Sequence, residues 1–472
     1  MKTTDIIDRR LTQIVPDERQ IRFQETEFYA FVHFSVNTYT DREWGDGTEP
    51  ESLVCPDSFD AAQWADAIRS AGMKGLILTC KHHDGFCLWP SRYTNHTIAG
   101  SPFRGGKGDP VKEAADACRE SGLRFGIYLS PWDRNNESYG SGKAYDDFFV
   151  NQLTELLTHY GEIFSVWFDG ACGEGRNGKK QSYDWPRYYD LIRRLQPSAC
   201  ISVCGPDIRW CGNEAGHTRP SEWSVVPARL RDAEKVAAES QHTDDPAFRE
   251  RKILSQDLDL GSRTALEGEK DLIWYPAEVN TSIRPGWFYH ENEDDKVRGL
   301  DELLDIYYNS VGGNATFLLN IPPTKSGRFH ENDVRRLKEL GEYLDRTFST
   351  NLLERASLTA DRWKKGHEIE AVKNDDGGES FYQTDEGVRA ATVTVRFPEQ
   401  TSVSHVVLKE NIRMSQRIEA FEIRNERGEL LYRGTTVGYK KIARFADAPV
   451  KELQIRIPDS RICPTLSFVG VY

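Results

Sequence analysis

Four carboxylates, three histidines and several tryptophans stand where chemistry is expected. Asp169 closes the apolar run Phe164–Asp169 and precedes Gly170. A carboxylate at the end of a buried strand, flanked by aromatics, is costly to desolvate without a purpose. An ordinary N-cap or loop aspartate would look the same in sequence. Glu214 lies among Gly212, Asn213 and Gly216, a setting that also suits a solvated loop residue, and Glu222 and Glu278 compete with it for any acid role. His82, His83 and Asp84 follow another apolar run. They could ligate a metal, but adjacent residues of an extended chain point to opposite faces, and neither HxH nor HExxH occurs. Donating to hydroxyls is the simpler role, and a satisfied core histidine is the plain alternative for one of the two. Trp44, Trp132 and Trp167 could be sugar-stacking platforms or core, and sequence leaves that open.

These residues need a scaffold that gathers them. From about residue 28 to 320, short β-rich runs alternate with helical patterns. The runs are 28–35, 75–80, 124–130, 164–169 and 199–205, with 272–280, 287–290 and 316–321 supplying the rest. Asp60, with Gln63 three positions on, reads as a capping-box-like helix start, and helices are expected near 110–121, 145–160, 187–196 and 331–347. This rhythm means a parallel sheet. No GxGxxG opens a helix, and the length suits a (β/α)8-like TIM barrel. Catalytic groups of a barrel sit at the C-terminal strand ends. His33, His82, His83, Tyr128, Asp133, Trp167 and Asp169 all fall at or just past such ends. Asp207, Glu214 and Glu222 follow strand five, Glu278 lies on a later strand and Trp287 on the next. Residues 226–270 are charged and without a clear strand, and read as an insertion that is partly helical around 228–239. After Leu352 the alternating runs ATVTVRF, HVVLKE, FEIR, LLYRG and LQIRI indicate an all-β sandwich. The division is therefore a barrel over residues 1–350 and a sandwich over 351–472.

Composition narrows the partners. A net charge of −13 over 472 residues argues against nucleic acid. No run of about 18 apolar residues could span a membrane. The polar N-terminus lacks the apolar segment of an export leader. The expectation is a cytoplasmic protein, or an exported one whose leader is absent from this sequence. Nine cysteines at irregular spacing, with no CxxC pair, read as reduced, buried thiols.

Several long segments then become specific. FVHFSVNTYTDREWGDG, GLILTCKHHDGFCLWPSRYTNHT, FGIYLSPWDRN, VWFDGACGEG, GPDIRWCGNEAG, WYPAEVNTSIRPGWFYH and LLNIPPTKSGRFHENDVRRL occur in order over about residues 25–345. In these the chain resembles glycoside hydrolase family 29, the α-L-fucosidases. The segment around Glu214 looks like the branch that prefers α-1,3- and α-1,4-linked fucose on branched glycans. QRIEAFEIR and TTVGYKKI are similar to a galactose-binding-like sandwich.

The resemblance implies a retaining double displacement on fucosylated oligosaccharides, with Asp169 as nucleophile and Glu214 as acid/base, and Glu278 then Glu222 as alternatives for the acid. It implies His33, His82, His83 and Tyr128 as hydroxyl partners and Trp167, Trp287 and Trp44 as aromatic contacts. It implies no metal and no organic cofactor. The competing expectations are a retaining glycosidase for another sugar, a non-catalytic fucose-binding protein, and a metal-dependent hydrolase.

Overall fold

The computed structural model describes residues 3–240 and 257–472. Its larger unit is an eight-stranded parallel sheet of β1 (Phe28–Val32), β2 (Gly75–Lys81), β3 (Arg124–Leu129), β4 (Ser165–Phe168), β5 (Cys200–Val203), β6 (Arg209–Trp210), β9 (Ala277–Ser282) and β10 (Ala315–Asn320). The order is β5-β4-β3-β2-β1-β10-β9-β6. A parallel bridge from Ser202 to Ile208, at the foot of β6, draws the two ends into a nearly closed TIM barrel. Both faces of β1, β2, β4 and β5 are buried, which explains their unbroken apolar character.

The covering helices start as their sequences dictate. Asp60, Asp109 and Asp184 each accept an N–H of the first turn, from Gln63, Lys112 and Arg187, at 3.0, 3.0 and 3.3 Å. The helix Pro110–Ser121 ends at Gly122, whose φ of 72° lets the chain turn back into β3. Gln63 does not complete a capping box. Its amide instead pairs with the main chain of Phe329, 266 residues away, at 3.0 and 3.1 Å.

Three expectations about the barrel strands change. The sixth strand, β6, lies inside the segment read as a loop after strand five. Only two residues long, it carries no period to detect. The run 272–280 is two strands broken at Pro276, which has no N–H for a ladder. Its first part, β8 (Leu272–Trp274), pairs antiparallel with β7 (Val225–Pro227) in a ribbon of its own, so the insertion does begin on a strand. Its helix Ala233–Glu239 matches the expected one, and 241–256 lie outside the described residues. Trp287–His290 is not a strand: the N–H groups of Trp287 and Phe288 are taken by the Glu43 carboxylate at 3.0 and 3.2 Å rather than by a neighbouring strand.

The last barrel helix, Glu331–Phe348, leads into a second core built on an antiparallel sheet. Its strands are β11 (Ser357–Ala360), β13 (Ala391–Lys409), β14 (Ile418–Asn425), β15 (Leu430–Gly434), β16 (Lys441–Ser460) and β18 (Phe468–Val471). The short pair β12 (Tyr382–Gln383) and β17 (Thr465–Leu466) packs into the same core, completing the sandwich. The runs ATVTVRF and HVVLKE prove to be one strand, β13, bent by register shifts between Arg396 and Thr401 and between Val403 and His405.

Candidate functional site

A cavity opens at the C-terminal ends of the barrel strands. Phe31, His33, Glu43, Trp44, His82, His83, Tyr128, Trp167, Asp169, Ala171, Glu214, Asn280 and Trp287 line it. All nine residues expected at the site are therefore together, drawn from β3, β4 and the loops after β1, β2, β4, β6 and β9.

Asp169 follows the last residue of β4. It accepts the Tyr128 hydroxyl at 2.7 Å and the Ala171 N–H at 2.8 Å. Burial raises its pKa, while the Ala171 N–H, the Tyr128 hydroxyl and the Gly170 N–H pull it back down. Glu214, in the loop after β6, accepts the indole N–H of Trp287 at 3.0 Å. Tyr128 lies roughly parallel to Trp167, with ring centroids 5.3 Å apart.

The histidines form a neutral set. Burial lowers His33 to about 4 and His83 to about 3, and takes His82 well below its ordinary value. For His33 and His83 the partners assign the ring protons. The Asn320 amide donates to Ser282 Oγ and Trp287 O, so its oxygen faces His33 Nδ1 at 2.7 Å and must receive a proton. Ser130 Oγ donates to Trp132 O, so it accepts from His83 Nδ1 at 2.8 Å. Both rings are left with Nε2 as an acceptor. His82 Nδ1 lies 3.4 Å from the Asn37 amide nitrogen, which also faces Asp84 Oδ2 at 3.1 Å and Glu43 O at 3.4 Å.

The expectation that His82 and His83 face opposite ways fails. The strand ladder ends at Lys81 and a turn follows, with the Gly85 N–H on His82 O at 3.0 Å. The rings lie 4.1 Å apart, centroid to centroid, on the same side. His82, His83 and Asp169 each offer one donor atom, and the three atoms lie within 4.8 Å of one another. Trp44 meets His83 edge-on at 5.3 Å. Trp132 stands behind both as a wall rather than a lining residue, its ring 5.0 Å from His83 and 5.4 Å from Trp44.

The other candidate carboxylates are committed elsewhere. Glu278 is fully buried behind the cavity and accepts the Trp167 indole N–H at 2.7 Å and the Tyr29 hydroxyl. Burial pushes its pKa up to about 7. Glu222 sits between Arg209 and Arg219, which hold its pKa down against its own desolvation. Asp207 pairs with Arg193 and accepts the Ile201 N–H, and Asp133 pairs with the buried Lys81 at 3.0 Å.

The model of the Alpha-L-fucosidase family matches residues 17–348. Alpha-L-fucosidase 1 of Arabidopsis thaliana is 37% identical over 471 residues, covering 97% of this chain and 87% of the relative. The chain belongs to the α-L-fucosidase family.

The fold of this fucosidase is shared with solved members. A glycoside hydrolase 29 family member from an unknown rumen bacterium superposes with a TM-score of 0.78 at 37% identity, over 97% of this chain and 77% of that one. A Ruminococcus gnavus GH29 fucosidase in complex with fucose does so with a TM-score of 0.83 at 29% identity, over 97% and 95%. Two further polar residues line the cavity of this fucosidase, Glu43 and Asn280, and neither is conspicuous in the sequence. Glu43 stands in a polar stretch just before Trp44, where only its place beside a quoted aromatic offered a signal. Asn280 sits two residues after Glu278 on the same strand, which gives it the same face, and its side chain accepts the Trp210 indole N–H at 3.1 Å. Among the described residues no helix is long and apolar enough to cross a membrane. The cysteines are free thiols, all buried save Cys172, which is partly so, and the exposed Cys55.

Proposed function

We propose that this α-L-fucosidase removes terminal α-1,3- or α-1,4-linked L-fucose from branched glycans by double displacement, with Asp169 as nucleophile and Glu214 as acid/base. The observation that carries this reading is that Asp169 and Glu214 line one small cavity while Glu222, Glu278, Asp207 and Asp133 do not. Glu43 lines the cavity too, but its oxygens already accept two backbone N–H groups and His290.

In the first step an Asp169 oxygen attacks the anomeric carbon. The glycosidic bond breaks, and its oxygen leaves with the Glu214 proton. In the second, Glu214 takes a proton from water, whose oxygen attacks the same carbon and releases Asp169 as a carboxylate. Retaining enzymes hold the two carboxyls about 5–5.5 Å apart. Neutralising Asp169 in the ester lowers the Glu214 pKa for its second role.

Fucose offers three hydroxyls and a methyl group. Two imidazole acceptors, His33 and His83, and the neighbouring His82 imidazole match the hydroxyls, and Trp167 and Trp287 supply apolar walls. A sugar that left one of these buried nitrogens unpaired would be penalised. The fucose complex of the Ruminococcus gnavus relative supports the sugar assigned here. The linkage preference rests on the segment around Glu214.

The test is hydrolysis of an α-1,3/1,4-fucosylated trisaccharide by wild type, Asp169→Ala and Glu214→Ala, with and without azide. We expect fucose release by wild type and azide rescue of Asp169→Ala as the inverted fucosyl azide, whereas Glu214→Ala, which lacks the proton the leaving sugar needs, is rescued only on α-L-fucosyl fluoride, as the retained azide. Wild-type activity in Glu214→Ala would remove that assignment. The three-donor cluster of His82, His83 and Asp169 favours a second reading, metal-dependent hydrolysis. Loss of turnover on adding a chelator, restored by a divalent cation, would select it.

A further inference from the structure

Two loops meet across the mouth of the cavity. The first follows β1, where the helix Val36–Thr40 ends at Asp41 in a left-handed conformation with φ of 58°. The second follows β9 and carries Gly286, Trp287 and His290. His290 joins them, its Nδ1 2.7 Å from Asp41 Oδ1 and its Nε2 2.7 Å from Glu43 Oε1. Glu43 in turn accepts the N–H groups of Trp287 and Phe288. The Trp287 carbonyl is held from its other side by the Asn320 amide at 2.8 Å. With its backbone fixed at both groups, Trp287 places its indole N–H on Glu214 Oε2.

Resting on the reading of Glu214 as acid/base, we propose that His290, braced by Asp41, is a positioning residue that acts through Glu43 and Trp287 to hold the Glu214 carboxyl in line with the glycosidic oxygen. Two further observations support this. The packing leaves no slack: a Cβ on Gly286 would come within 2.6 Å of His290 Cδ2 and 2.7 Å of Glu43 Oε1. The charge is also right. Both ring nitrogens face carboxylate oxygens, so both bonds require an imidazolium. The hydrogen bond to Glu43 pushes the His290 pKa up to about 9 against burial, with Asp41 and Glu293 adding to it. The clamp is therefore closed wherever the ring is protonated, below about pH 9. In the neutral ring one nitrogen would present a lone pair to a carboxylate, and one of the two bonds would be lost.

A residue that acts through the acid has a specific signature. It matters when the leaving group needs a proton and not when it leaves as a stable anion. The experiment compares kcat/KM on the fucosylated trisaccharide with that on α-L-fucosyl fluoride, whose fluoride departs unprotonated. His290→Ala is expected to lose roughly 10–100-fold on the trisaccharide and at most about threefold on the fluoride. His290→Gln, able to donate to one carboxylate, should recover part of the loss. Asp41→Asn, at an exposed side chain with little bearing on folding, should give the same split at smaller size. Gly286→Ala should reproduce the split by displacing the ring. Equal losses on both substrates, or none, would overturn the proposal. Glu214→Ala is the control. If it shows the split and His290→Ala does not, the positioning chain alone is refuted. If Glu214→Ala loses both substrates equally, Glu214 is not the acid, and the inference falls with that reading.

Discussion

The two ends of the barrel both bury ionisable groups, and they treat them in opposite ways. At the C-terminal end His33, His82, His83, Asp169 and, just behind, Glu278 are desolvated, and burial moves each toward its neutral form. At the N-terminal end, where the sandwich docks, Glu27 is equally buried but surrounded by cations. Lys440, Lys409 and Lys74 approach it to 2.9, 3.6 and 3.5 Å. Together they hold its pKa far down against its desolvation. Lys74 comes from the barrel and the other two from the sandwich, so this carboxylate joins the two units. The contrast separates chemistry from construction. Charges matched by charges stabilise an interface, whereas polar groups left without counter-charge are available to a substrate.

Three substitutions test that contrast. The largest effect is expected at Asp169→Asn, which should lower kcat/KM by roughly 10⁴-fold. Its thermal midpoint should stay level or rise, because a desolvated carboxylate has been removed. A large drop in midpoint would mean that Asp169 is structural. At the opposite end Glu27→Gln should cost about 3–5 kcal/mol of stability by leaving the ammonium groups unmatched. Half-exposed Lys74 contributes least to that figure. Activity per folded molecule should be unchanged. A carboxyl with a depressed folded pKa stabilises above its ordinary value of 4.5 and ceases to do so as pH falls toward the folded value. Urea unfolding of Glu27→Gln should therefore lose part of the acid sensitivity seen in wild type, and an unaltered pH dependence would break the comparison. The smallest effect is expected at Tyr128→Phe. Its hydroxyl helps keep Asp169 ionised. Without it the acid limb of kcat/KM should move toward neutral pH, with a loss of about tenfold from the missing charge-assisted bond. An unmoved acid limb would detach that limb from Asp169.

Much of the site was legible because it sits at strand ends. Asp169, Tyr128, His33 and Trp167 each lie on or directly after an apolar run, and a parallel barrel delivers all such positions to one face. Glu214 was harder, since the two-residue strand that carries its loop has no pattern of its own. Glu43 was harder still, its neighbour Trp44 being the one signal. A glutamate in the polar stretch before Trp44 reads as solvated until the distant loop at 286–290 covers it. The same loop explains the error at Trp287–His290. Its aromatic residues look like a strand, but their N–H groups had a better acceptor in Glu43 than any ladder offered.

By itself the sequence determined the strand and helix periods, the caps at Asp60, Asp109 and Asp184, the change from barrel to sandwich texture, and the residue types that reach the cavity end of the barrel. These are local properties, set within a few residues of each position by backbone geometry and hydrophobic spacing. The tertiary structure alone decided which carboxylates line the cavity and which are neutralised. It put Glu222 between two arginines, Glu278 behind Trp167, Glu27 among three lysines and Glu214 beneath an indole. The fate of a buried charge depends on what stands within a few ångströms of it, and those neighbours come from as far as 413 residues along the chain.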